Sequence, residues 1–152
     1  MSKQYLIGFV ILLLLLAGCS SSMVEPAAES ATAAELTLGE TIYIENCASC
    51  HGANLEGQAD WKTPNDDGSF RSPPHDETGH TWHHDDGYLL ERVRYGTAVL
   101  APDLQDRSNM PAYEDVLTDE EISAVLAYIK SQWPDDIRQM QQERTDAVQG
   151  SN

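Results

Sequence analysis

The chain predicts an all-α domain, and three observations carry that expectation. Apolar residues recur at helical spacing in three segments, each bounded by helix start or stop residues. No stretch alternates apolar and polar residues as a half-buried strand does. Long aperiodic stretches separate the segments, and a compact fold holds loops of that length only for a reason.

The first element is not structural. Lys3 precedes an apolar run from Leu6 to Leu16, and Ala17 and Gly18 stand before Cys19. A charged residue, a short apolar run and small residues at a cleavage point are the parts of a secretion signal, and the run is short for a membrane span. Leu16-Ala17-Gly18-Cys19 resembles the bacterial lipoprotein signal, in which the cysteine is acylated and becomes the first residue of the processed chain. Residues 1–18 are therefore expected to be a signal peptide and Cys19 the lipidation site. Residues 19–34, rich in Ser, Ala, Glu and Thr, lack the large apolar side chains of a core and read as a flexible tether with a reach of roughly 20 Å.

The folded unit is expected over residues 35–133, with a polar C-terminal tail over 134–152. Its first helix runs from about Thr37 to Asn46, with Leu38 and Ile42 on one face and Gly39 and Tyr43 on the adjoining stripe. It leads straight into Cys47-Ala48-Ser49-Cys50-His51. Two cysteines separated by two residues and followed by histidine form a c-type haem attachment site, with thiols for the porphyrin vinyl groups and an imidazole for the iron. A redox Cys-x-x-Cys belongs in a βαβ setting, and a zinc site wants a second ligand pair at similar spacing; the sequence offers neither. With Cys19 lipidated and Cys47 and Cys50 on haem, no thiol is left for a disulfide.

The second helix starts at Asp85-Asp86, whose carboxylates suit a helix N-terminus, passes through Tyr88, Leu89, Arg92 and Val93, and stops at Gly96. The third is the clearest. Thr118-Asp119-Glu120-Glu121 is a capping box, Ile122, Val125, Leu126 and Ile129 form its apolar stripe, and Trp133-Pro134 closes it.

Gly39 and Tyr43, the Cys47–His51 motif, Asn109-Met110-Pro111 and Leu126-Ala127-Tyr128-Ile129-Lys130 together resemble a small monohaem class I c-type cytochrome. The resemblance implies a cytochrome c-like fold of three or more helices around one covalently bound haem c. It implies close crossing of the first and last helices at Gly39, with Tyr43, Val125 and Tyr128 around it. His51 and Met110 become the expected axial iron ligands. Pro73, or its neighbour Pro74, becomes the carbonyl that orients the axial histidine, and Trp82 or Trp61 a candidate indole donor to a haem propionate. The family places a leucine after the proline, over the ring, where this chain has His75. Met140 lies in the polar tail and Met23 in the tether, which makes both poorer ligand candidates than Met110.

A haem with both axial positions filled transfers electrons without binding substrate. The expected function is thus a membrane-tethered electron carrier outside the cytoplasm, in the periplasm or at the cell exterior, and not an enzyme. Two alternatives stay open: a haem-containing subunit of an oxidoreductase, or a haem and copper binding or sensing module. The second draws on His75, His80, His83 and His84, a dense group able to bind copper or zinc or simply to line the haem edge. The charge excludes one partner class. With 25 acidic against 9 basic side chains and a net charge of −16, the chain has no footprint for nucleic acid. It also cannot adhere by charge to anionic lipid, so attachment must come from acyl chains on Cys19. Its redox partners are expected to present a basic docking face.

Overall fold

The computed structural model describes residues 31–151. The signal peptide, Cys19 and most of the tether lie outside the described residues. Helices α1 (Ala33–Asn46), α2 (Ala48–His51), α3 (Asp86–Leu100), α4 (Asp119–Ser131) and α5 (Asp135–Gln149) make up the fold, with 3₁₀ turns at Thr81–His83 and Pro102–Arg107. The described residues contain no strand.

Helix α1 begins earlier than its apolar pattern suggests, because the Thr32 side chain accepts the Glu35 N–H and caps it. Its buried residues are Gly39, Ile42 and Tyr43, while Leu38 is exposed. The inward face is thus rotated towards the stripe that holds the glycine. Gly39 explains why: a Cβ there would lie 2.0 Å from the Ala124 carbonyl oxygen and 2.8 Å from the Tyr128 Cβ. Only glycine lets the backbones of α1 and α4 approach so closely. Tyr43 packs into the same crossing, its ring 5.6 Å from that of Tyr128.

Both arms of the capping box at Thr118 form. The Glu121 N–H donates to the Thr118 hydroxyl at 3.2 Å, and the Thr118 N–H donates to the Glu121 carboxylate at 2.8 Å. From that start α4 buries Ile122, Val125, Leu126 and Ile129 against Ile42, Tyr43, Leu55, Leu89, Leu117 and Trp133. Each large aliphatic side chain in this core contributes roughly 1.5–3 kcal/mol of transfer free energy.

Residues 134–152, expected as a polar tail, instead carry helix α5. It docks through a polar stripe: Gln141 and Thr145 are buried, with Ile137 packed against the core. The Gln141 amide donates to Asp86 Oδ1 at 2.6 Å and to the His84 carbonyl at 3.2 Å. The Asp86 N–H donates to the Thr145 hydroxyl at 3.1 Å, and Lys130 Nζ completes the cluster on the Asp86 carboxylate at 2.8 Å. Met140 stays exposed on this helix.

Candidate haem site

The motif sits at the junction of α1 and α2. The Cys47 and His51 N–H groups donate to the carbonyls of Tyr43 and Cys47, both at 2.9 Å, so the motif is wound as a continuation of α1. Gly52, at φ 82°, ends it. This single turn puts both thiols and the imidazole on one short arc. Cys47 is half-buried and Cys50 exposed, and neither is in a disulfide. Burial, and next the neighbouring Cys50, push the Cys47 thiol up to about 11, so it stays protonated at neutral pH.

His51 is 9% exposed, and its Nδ1 lies 2.8 Å from the Pro73 carbonyl oxygen. A carbonyl only accepts, so Nδ1 carries the proton and the lone pair of the neutral ring is on Nε2. Burial lowers the imidazole pKa, and the Pro73 contact offsets part of that shift. Burial therefore favours the neutral ring, in the tautomer that leaves the lone pair on Nε2.

Backbone pairing between residues 52–58 and 72–76 brings Pro73 into place. The Gly57 N–H donates to the His51 carbonyl at 2.7 Å, Gln58 N–H to Ser72 at 2.9 Å, and His75 N–H to Leu55 at 2.8 Å. Two glycines let the strands of this loop close. A Cβ on Gly57 would stand 2.4 Å from the Pro74 nitrogen, and one on Gly79 would stand 2.0 Å from the Pro74 oxygen. Leu55 occupies the left-handed region at φ 65°, a strained position for a side-chain residue, and its burial in the core holds it there. No periodicity marks these residues in the sequence.

Met110 is held by α3. At Gly96 the helix departs from helical backbone, at φ 69°, and then makes a further turn to Leu100. A Cβ there would meet the Met110 oxygen, the Pro111 carbon and the Ala112 nitrogen, each at 3.0 Å. The expected stop at Gly96 is therefore a kink whose purpose is to let the Met110 segment pass. The Met110 N–H donates to the Ser108 hydroxyl at 3.3 Å, which donates in turn to Thr97 at 2.7 Å. Three residues on, Tyr113 ties the segment to the motif: its hydroxyl donates to the Asn46 carbonyl at 2.8 Å. Burial, followed by Cys47 and Cys50, raises the Tyr113 pKa, which reflects that proximity.

The histidines stay close together but pair with separate rings, and His80 meets His84 edge-on at 5.6 Å. His75 stacks on His51, His80 on Trp61, His83 on Trp82 and His84 on Tyr88. Among the described residues no group of three or more His, Cys, Asp or Glu side chains is able to hold a metal ion. The Trp82 indole N–H donates to the Glu77 carbonyl at 3.3 Å, so a propionate would have to compete for it. No helix among the described residues is long and apolar enough to cross a membrane.

Two thiols and a buried imidazole on one helical turn, within a shell that is all-helical among the described residues, define a class of haem protein. The Cytochrome c family profile matches residues 36–133, and the chain belongs to that family. It is 30% identical over 120 residues to the chloroplastic cytochrome c6 of Chlamydomonas reinhardtii, covering 79% of this chain and 70% of that protein. It is 30% identical over 95 residues to cytochrome c6 of Bryopsis maxima, covering 62% of this chain and 89% of that one. It is also 30% identical over 101 residues to the cbb3-type cytochrome c oxidase subunit CcoP of Azospirillum sp. (strain B510), covering 66% of this chain but 30% of that protein. No solved structure matches. The protein is thus a small class I c-type cytochrome, a haem-containing electron carrier whose cofactor is a covalently bound haem c with iron.

Proposed function

We propose that the protein is a membrane-tethered electron carrier whose haem is joined to Cys47 and Cys50 and ligated by His51 and Met110. The observation that carries the reading is His51: buried, neutral, and fixed by the Pro73 carbonyl at 2.8 Å so that Nε2 alone is available to iron. The haem, when bound, supplies a one-electron ferric/ferrous couple. The chain's own residues do the rest. His51 and Met110 would hold the iron and leave no position for substrate, and a thioether there would favour the ferrous state and raise the potential. Tyr113 and the kink at Gly96 hold the Met110 segment beside the motif.

The tether and the lipid on Cys19 would keep this domain near a bacterial membrane on its outer side, free to turn towards donors and acceptors. The acidic surface favours redox partners with a basic docking face. The likeness to CcoP supports a second reading, that of a haem subunit in an oxidase. Copper handling gains no support, since no group of three or more His, Cys, Asp or Glu side chains among the described residues could hold a metal ion.

Carbon monoxide separates these readings. The reduced carrier should show no spectral change with carbon monoxide, since both axial positions are filled; ready binding would indicate an open or labile position suited to catalysis or gas sensing. Copurification with a catalytic subunit would favour the oxidase reading. Cys19→Ser should abolish acylation and release the protein from membranes or leave it unprocessed, and unchanged membrane association would contradict the lipid anchor.

A further inference from the structure

The imidazole of His75 lies face to face with that of His51, ring centroids 3.9 Å apart and planes 20° from parallel. Tyr43 backs it, edge-on at 6.0 Å and 67°. The main chain of residue 75 is pinned on both sides. Its N–H donates to the Leu55 carbonyl at 2.8 Å, and its carbonyl accepts the Trp133 indole N–H at 2.7 Å. Leu55 and Trp133 are themselves core residues, so the main chain that carries the ring is anchored to the core.

Nothing in folding asks for an imidazole at this place. Its Nδ1 is sealed from solvent and has no hydrogen-bond partner. A buried polar atom without a partner lowers stability, so an apolar side chain of similar size would serve stability better. What an imidazole offers is a flat face. The hydrogen bond from His51 Nδ1 to Pro73 constrains the ring along one direction only, because the ring can still hinge about the Nδ1···O line. A planar neighbour lying 3.9 Å from its face removes that hinge.

We propose that His75 is a positioning residue which, by stacking on His51, locks the plane of the proximal imidazole and so fixes the orientation at which that ring meets the haem. The inference rests on His51 being the proximal ligand.

The test is proton NMR of the oxidised holoprotein, in which the spread of the hyperfine-shifted haem methyl resonances follows the orientation of the axial ligand planes. His75→Leu removes the flat face and should redistribute and broaden those resonances. His75→Phe restores a flat face without a polar atom and should return the wild-type pattern. If the leucine chain does not mature, His75→Met, which fills the space with a flexible side chain, takes its place. A leucine or methionine variant with wild-type methyl shifts would overturn the positioning role, as would a phenylalanine variant as perturbed as the leucine one. Absence of hyperfine-shifted proximal imidazole resonances in the wild type would instead overturn the ligand assignment of His51, and the positioning role with it.

Discussion

At the residue scale, Tyr43 joins the helix crossing to the motif. It is 0% exposed, and its hydroxyl donates to the Gly52 carbonyl at 3.0 Å, just past the motif histidine. Burial, and next the Cys47 thiol, raise its pKa above the ordinary phenol value. Below about pH 10 the phenol is protonated in both the folded and the unfolded chain, and its contribution is intact. Above that, the unfolded chain releases the proton while the folded chain keeps it, so stability falls as pH rises. Tyr43→Phe should cost about 1 kcal/mol at neutral pH by loss of the hydrogen bond, and should flatten the alkaline fall. Guanidinium unfolding midpoints at pH 8 and at about pH 11 for both proteins measure this. The two motif cysteines are separable in the same way. Cys47→Ala or Cys50→Ala should each leave one thioether and retain haem through acid-acetone extraction, whereas the double change should release it.

At the scale of elements, the crossing of α1 and α4 governs the fold, and Gly39 is its sensitive point. Gly39→Ala would drive a methyl group to within 2.0 Å of the Ala124 carbonyl oxygen, so the helices must separate. Overpacking of this kind costs roughly 1–3 kcal/mol or more, read as a lower denaturant midpoint with an unchanged slope. Helix α5 gives a second test. Removing residues 135–152 deprives Asp86 and His84 of the Gln141 and Thr145 contacts, and should destabilise the holoprotein by several kcal/mol. An unchanged midpoint would mean that the helix is an ornament on the domain. The same two helices show what the sequence discloses. Helix α4 is legible because its apolar stripe and Thr118–Glu121 box are local signals. Helix α5 is not, because it docks through glutamine and threonine, and a buried amide looks like a solvated one until its partners are known. The site divides likewise. Cys47, Cys50 and His51 stand at a spacing that is itself a local signal, and the Pro73 carbonyl lies 2.8 Å from His51 Nδ1. The loop that carries Pro73 is held by backbone hydrogen bonds and by Gly57 and Gly79, and backbone pairing across about twenty residues leaves no periodic mark.

At the scale of the whole molecule, charge is the dominant property. A net charge of −16 on 152 residues surrounds the domain with a negative field. Electron-transfer encounters are small and short-lived, so a basic partner gains mainly in association rate. The bimolecular rate should therefore fall as salt shortens the screening length to about 10 Å and below. A flat rate would place docking on an apolar surface, a rate that rises with ionic strength would mean that the partner is itself acidic, and either would leave the acidic residues to solubility. The proposed ligation would put His51 and Met110 on the haem iron. The weak sulfur-to-iron charge-transfer band at the red edge of the oxidised spectrum reports it most directly. The wild type and Met140→Ala should both show the band, and Met110→Ala should lose it while gaining carbon monoxide binding and falling in potential. A band that survives in Met110→Ala, or that disappears in Met140→Ala, would contradict the account.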